Sequence, residues 1–200
     1  MRTQRPRIAF AERSSNVTAM KSGMPVQEEQ VVLVDDDGRR TGVMEKLEAH
    51  RRGLPHRAIS IFIFDAGGSL ILQRRAAGKY HSGGQWANTC CSHPRPGETP
   101  LEAAHRRLFE ELGFDCPLAY KTQIRYRAEV GSGLIENELV SVYFGEYEGK
   151  IAPDPSEVAE WRAVHPDQLA VEIEAAPDRF TPWLRIYVLE HGEALFGATD

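Results

Sequence analysis

The chain has 200 residues, 42% hydrophobic and 26% charged, with a net charge of −5. That length buries a core without covalent staples, and the acidic balance offers no broad basic face for nucleic acid. Three cysteines, Cys90, Cys91 and Cys116, with two of them adjacent, argue against a disulfide framework and for a reducing, cytoplasmic setting.

Residues 1–26 read as a flexible N-terminal extension ahead of one domain over 27–200. The first 22 residues carry Arg2, Arg5, Arg7, Arg13 and Lys21 against the single acid Glu12. Transit peptides share that composition, and a loosely ordered tail is the preferred reading. Residues 31–34 read as a short buried strand closed by Asp36-Asp37-Gly38. Residues 44–50 read as a short helix stopped by Gly53 and Pro55. Residues 57–64 are strand-like and far too short an apolar run to span a membrane. They turn at Asp65-Ala66-Gly67-Gly68 into a second strand, 70–74, which is a hairpin signal. A glycine-bearing loop over 75–85 leads into an extended stretch, 86–91.

The clearest helix follows. Thr99 suits its N-cap, Pro100 its first turn, and Glu102 completes a capping box. Leu101, Ala104, Leu108 and Leu112 form its apolar stripe, and Gly113 ends it. Residues 121–130 and 134–144 flank Gly131-Ser132-Gly133 as a second hairpin. Residues 158–164 form a last strand, and Thr181-Pro182 opens a C-terminal helix through about residue 194. The sum is an α+β fold, one helix amid mostly antiparallel strands.

Two short segments carry chemistry. Cys91 and His93 stand at i and i+2, as do Glu136 and Glu138. On extended backbone each pair shares one side. A thiol, an imidazole and two carboxylates can thus converge from two strands, supplying an acid, a base and a metal cage.

On the central helix, Glu98, Arg106, Glu110, Glu111, Gly113 and Phe114 fall at the spacing of the Nudix box, a loop and helix that holds divalent metals against a diphosphate. The resemblance is partial. The opening Gly of the box is Ser92 here, and the Glu after its Arg is Arg107. That exchange removes a metal-binding carboxylate and adds a cation, which argues against ordinary pyrophosphate hydrolysis. Arg106 and Glu110 also have the i,i+4 spacing of a surface pair.

The strings Leu54-Pro55-His56-Arg57-Ala58, Arg74-Arg75-Ala76, Trp86-Ala87-Asn88, Cys91-Ser92-His93-Pro94, Arg125-Tyr126-Arg127-Ala128 and Glu136-Asn137-Glu138, in this order, resemble the type I isopentenyl-diphosphate isomerase family. The resemblance runs from about Gln30 to Trp183. It implies a Nudix-like fold, with mixed and antiparallel sheets, a central Nudix helix and a C-terminal helix. It also implies interconversion of isopentenyl and dimethylallyl diphosphate in isoprenoid biosynthesis.

Further expectations follow from that resemblance. His50, His56, His93, Glu136 and Glu138 form one metal site, suited to Mn²⁺, Mg²⁺, Fe²⁺ or Zn²⁺. Cys91 is the catalytic thiol, facing Glu138, which Tyr126 hydrogen-bonds. Which of the two is acid and which base in each direction stays open. A second ion, Mg²⁺, bridges the diphosphate to Glu111 and the Cys91 carbonyl. Arg75, Lys79, Arg107 and Lys46 bind the diphosphate, although Lys79 also fits a solvated loop. Trp161 matches the active-site indole, with a core or rim tryptophan as the alternative. His81, His105, His165 and His191 match nothing and are taken as surface residues. The rival readings are a Nudix hydrolase of a nucleotide-type diphosphate and a non-catalytic metal- or diphosphate-binding module. The substrate is a small prenyl diphosphate, with no nucleic-acid or membrane partner, and monomer and homodimer both remain open.

Overall fold

The structure, a computed structural model, describes residues 29–197; the 1–26 extension lies outside the described residues. β1 (Gln30–Val34) pairs antiparallel with β2 (Arg40–Glu45). The sequence reading has no strand at β2. It is an outer strand, largely exposed and polar, so it lacks the apolar alternation that marks a half-buried strand. α1 (Lys46–Arg52) follows at once. The Glu45 carboxylate accepts from the Leu47 and Glu48 amides, so the helix starts two residues later than expected.

β3 (His56–Phe64) is buried along nearly its whole length, and its Ile/Phe-rich sequence suits a strand covered on both faces. β4 (Leu70–Arg75), β5 (Trp86–Ala87) and β6 (Cys90–Ser92) come next. The expected β3–β4 hairpin is a corner instead. The two strands share one register pair, Phe64 with Leu70, and β4 then runs against β9 (Val158–Val164). β7 (Ala119–Gly131) and β8 (Leu134–Glu146) form the long hairpin, turned by Ser132 and Gly133 with φ of 55° and 70°. That pair of positive φ angles matches the right-handed twist of the flanking strands. β8 pairs parallel with β3 along its length, from His56↔Glu138 to Phe64↔Glu146. The other edge of β3 is shared in turn by β1, β6 and β4.

α2 (Pro100–Leu112) carries the expected capping box. Gly113 ends it at φ +74°, where a Cβ would lie 2.5 Å from the Ala152 carbonyl oxygen. The buried stripe is Ala103, Ala104, Leu108, Glu111 and Leu112. Leu101 is 40% exposed and not part of it. α3 (Pro166–Ala175) is a further helix, and the C-terminal helix is two, α4 (Pro182–Leu189) and α5 (Gly192–Phe196), broken at Glu190 and His191.

The period-two alternation of β3 divides the core. Ile59, Ile61 and Ile63 face the α2 side with Cys90, Ala104 and Leu108. Ala58 and Phe62 face the side covered by Trp183, Tyr187 and Val188, with Cys91 packed at its margin. The adjacent cysteines therefore enter different layers: Cys90 packs, and Cys91 faces the cavity side.

Candidate active site

Glu138 sits at the middle of three adjacent strands. Its β8 position is opposite His56 of β3 on one side and Tyr126 of β7 on the other. Cross-strand partners on one face lie within side-chain reach, so register alone assembles this trio. Tyr126 Oη lies 2.8 Å from Glu138 Oε2 and 2.7 Å from Glu136 Oε2. A phenol has one hydrogen, so the second of these contacts needs a proton from a carboxyl. Burial and the charge of Glu138 push Glu136 well above the usual carboxylate range. Burial opposes charge on Glu138 too, but the imidazoles of His56 and His93 hold it well below that range. Glu136 is therefore the proton-bearing member, donating to Tyr126, which donates to Glu138.

The histidines arrive from three elements. α1 buries His50, β3 begins with His56, and the end of β6 presents His93, whose Nε2 lies 3.0 Å from Glu138 Oε1. His50 Nδ1 donates to the Lys46 carbonyl and His56 Nδ1 to the Leu54 carbonyl, each at 2.7 Å. Both rings are thereby oriented by Nδ1, and both Nε2 atoms are buried without a hydrogen-bond partner. A bare Nε2 behind an anchored Nδ1–H is the arrangement of a metal-ligating imidazole. Ligand atoms of His50, His56, His93 and Glu138 lie within 4.8 Å of one another. Burial, then the neighbouring His93 and His56, lowers His50 to about 4, so it is uncharged at neutral pH and free to bind a cation. The residues present thus fit a divalent ion.

Cys91 Sγ donates to Asn88 Oδ1 at 2.9 Å and lies 3.2 Å from Ser60 Oγ, which itself donates to Tyr187 Oη at 2.9 Å. Burial pushes the thiol up to about 12 against the lowering effect of the Ser60 and Asn88 bonds, and Glu138 and Glu136 add to the rise. The thiol therefore keeps its proton at neutral pH. One cleft is lined by Cys91, His93, Glu111, Tyr126, Glu136 and Glu138 together with Lys46, Arg75, Lys79 and Arg107.

The NUDIX domain family matches residues 54–184. The chain is 56% identical over 164 residues to an isopentenyl-diphosphate Delta-isomerase of Cereibacter sphaeroides, covering 80% of this chain and 92% of that one. It is 50% identical to isopentenyl-diphosphate Delta-isomerase 2 of Aromatoleum aromaticum, covering 78% and 83%, and 47% identical to the Burkholderia multivorans isopentenyl-diphosphate Delta-isomerase, covering 82% and 94%. The chain belongs to the isopentenyl-diphosphate Delta-isomerase family, on a NUDIX domain. The fold is shared more widely: Deinococcus radiodurans DR0079 superposes with a TM-score of 0.67 at 17% identity, covering 81% of this chain and 98% of that one.

Within this isomerase-family site three of the four cleft cations are paired with carboxylates. Arg107 Nη2 donates to Glu111 Oε1 at 2.6 Å, Lys79 Nζ to Glu157 Oε2 at 2.5 Å, and Lys46 to Glu29. Arg75 stands over the Trp183 ring, 5.2 Å from its centroid. Gln73 of β4 donates to Glu111 Oε2 at 2.8 Å and fixes the carboxylate from the other side. On α2, Arg106 bonds Glu98 and Glu110 and lies outside the cleft lining.

Two expectations are corrected. Trp161 is 44% exposed on β9 and does not line the cleft; Trp183, 1% exposed at the start of α4, does. Trp161 pairs across from Gln73 of β4, a register position that a local string cannot tell. His81 is buried in the cleft and not on the surface. The residues missed in sequence are Trp183, His81, Tyr80, Ser60 and Asn88. Asn88 had a signal, since it lies in the Trp86-Ala87-Asn88 string.

Proposed function

We infer that the chain interconverts isopentenyl diphosphate and dimethylallyl diphosphate by adding a proton at one terminus of the double bond and removing one from C2. The observation that carries this reading is the sharing of one cleft by the Cys91 thiol, the Glu138–Tyr126 pair and a group of cations. An unactivated alkene needs a strong acid, and its protonation gives a tertiary carbocation. A second group must then take the C2 proton. Cys91 Sγ and Glu138 are the two groups, and one proton enters as another leaves, so each turnover exchanges their states. The reaction is reversible, and either can act as acid in the matching direction. Tyr126 Oη steadies the Glu138 carboxyl by a hydrogen bond and joins it to Glu136.

His50, His56, His93, Glu136 and Glu138 would hold a divalent ion, which would make the Glu138 carboxyl a stronger acid, and Glu111 with the Cys91 carbonyl would hold Mg²⁺, which would offset the diphosphate charge. Mn²⁺, Mg²⁺, Fe²⁺ and Zn²⁺ all suit the first donor set. Arg75, Lys79, Arg107 and Lys46 hold the diphosphate oxygens; Lys79, Arg107 and Lys46 exchange their present carboxylate partners for phosphate, and Arg75, which has no carboxylate partner among the described residues, is free to take it directly. The Trp183 ring offers the cation a π-face, worth about 2 kcal/mol when desolvated, and excludes water that would trap it as an alcohol. No helix among the described residues is long and apolar enough to cross a membrane. The three cysteines are free thiols, and we place the protein in the cytoplasm.

A hydrolase reading is disfavoured by Arg107. It stands where the Nudix box carries a carboxylate, and it is bonded to Glu111. The test is incubation of purified protein with isopentenyl diphosphate and Mg²⁺, followed by separation of products. Dimethylallyl diphosphate without phosphate release supports the isomerase. Release of monophosphate or inorganic phosphate supports the hydrolase.

A further inference from the structure

The loop between β4 and β5 brings a fourth imidazole to the metal site. Gly84 N donates to the Arg75 carbonyl and Arg75 N to the Gln85 carbonyl, which draws the loop closed. His81, 5% exposed, is enclosed by it. Its ring lies 6.0 Å from that of His50 at an interplanar angle of 29°, and meets Tyr80 and Trp183 edge-on at 4.3 and 5.7 Å. Arg75 Nη2 bonds the His81 carbonyl at 3.3 Å. The ring is thus held on several sides, and its Nε2 lies 3.4 Å from Glu136 Oε1.

That separation is longer than an ordinary N–H···O hydrogen bond. It matches the 3.5 Å between His56 Nε2 and Glu138 Oε1 in the donor set already described. Two donors at right angles about one ion, each about 2.1 Å from it, stand about 3 Å apart. Ligand atoms of His50, His81 and Glu136 lie within 4.8 Å of one another, as do those of His50, His56, His93 and Glu138. The two groups share His50. Its Nδ1 is committed to the Lys46 carbonyl, so Nε2 is its one available donor atom, and one lone pair serves one ion.

We propose that His81 Nε2 is a ligand of this same metal centre, entering beside Glu136 and completing a set of four imidazoles and two carboxylates. The inference rests on the metal centre proposed above and adds a residue to it. Six side-chain donors fill an octahedral ion and leave no open position for water or substrate. The ion then serves to fix and polarise Glu138, and the diphosphate is held elsewhere. A fourth nitrogen donor also shifts preference from Mg²⁺ toward Mn²⁺, Fe²⁺ or Zn²⁺.

The test uses Mn²⁺ with metal-stripped protein: wild type, His81→Ala and His81→Gln, each checked for fold by melting without metal. Free Mn²⁺ is followed by electron paramagnetic resonance, and nitrogens on bound Mn²⁺ are counted by electron spin echo modulation. Both variants are expected to lose at least about tenfold in Mn²⁺ affinity, with one imidazole nitrogen fewer. An unchanged affinity and nitrogen count in His81→Ala overturns the assignment of His81 alone. Wild-type affinity in His81→Gln, which keeps a hydrogen-bond donor but not an imidazole, also overturns it in favour of a hydrogen-bonding role. Failure of the wild type to bind Mn²⁺ overturns the metal centre itself, and His81 with it.

Discussion

Asn88 Oδ1 accepts a hydrogen bond from the Cys91 thiol at 2.9 Å. The amide cannot turn away, because its Nδ2 donates to the carbonyls of Ile61 and Cys90 at 3.0 and 3.2 Å. Asn88 therefore sets the direction of the S–H bond without being placed to hold the diphosphate. Asn88→Ala should lower kcat about tenfold, the worth of one hydrogen bond, while KM for isopentenyl diphosphate changes little. Steady-state kinetics check this, and a change confined to KM would contradict it.

Tyr126 and Glu138 separate proton movement from metal retention. Tyr126→Phe removes the hydroxyl between the two carboxyls but no predicted ligand atom. Its kcat should fall about a hundredfold or more, with metal content unchanged. Glu138→Gln should lose both turnover and metal. Elemental analysis beside the rate assay distinguishes them, and normal metal content in Glu138→Gln would contradict the ligand assignment.

The two tryptophans make a direct comparison. Trp183 is buried against Arg75 and lines the cleft, whereas Trp161 is exposed on β9. Trp183→Leu should lower kcat by tenfold or more, through loss of about 2 kcal/mol of cation stabilisation. Trp161→Leu should turn over as the wild type does. The reverse pattern would restore the indole role to Trp161.

That pair also shows where a sequence stops being readable. The capping box of α2 was legible because its signal is local: Thr99, Pro100 and Glu102 sit within one turn. The spacing of Glu136 and Glu138 was legible because a strand's alternation is fixed. The partners of β3 were not. Chain proximity suggests β4, yet the long pairing is parallel and with β8, some eighty residues on, where burial on both faces decides. Which face of β9 carries Trp161 depends on that same long-range assembly. His81 lies in a loop with no period to read, and only the closure of the loop on β4 makes it internal. α3 was missed because its apolar side is short, Leu169 and Ile173, and Val171 is exposed.

The buried imidazoles give a pH signature. Burial, then the neighbouring His93 and His56, lowers His50 to about 4 from an ordinary 6.5; burial, then Arg75 and His50, lowers His81 to about 3. The unfolded chain takes up protons that these native rings refuse. Their contribution to stability is therefore whole above pH 6.5 and is lost progressively as pH falls toward 4 and 3. Glu136, held protonated in the fold, acts in the opposite sense, so a paired comparison is needed. Metal-free wild type should lose more melting temperature than His50→Asn between pH 6.5 and 5. Parallel curves for the two proteins would contradict the buried, uncharged state of His50.

The central claim is that the Cys91 thiol and the Glu138 carboxyl move protons on and off one five-carbon diphosphate. The most direct measurement is incubation with isopentenyl diphosphate in D₂O with Mg²⁺, comparing wild type with Cys91→Ala and reading deuterium in both recovered diphosphates by mass spectrometry. The account predicts deuterium in the dimethylallyl and isopentenyl pools with the wild type and none with Cys91→Ala, which still binds the diphosphate. Deuterium incorporation at the wild-type rate by Cys91→Ala, or turnover by the wild type that releases phosphate and leaves the carbon skeleton unlabelled, would contradict it.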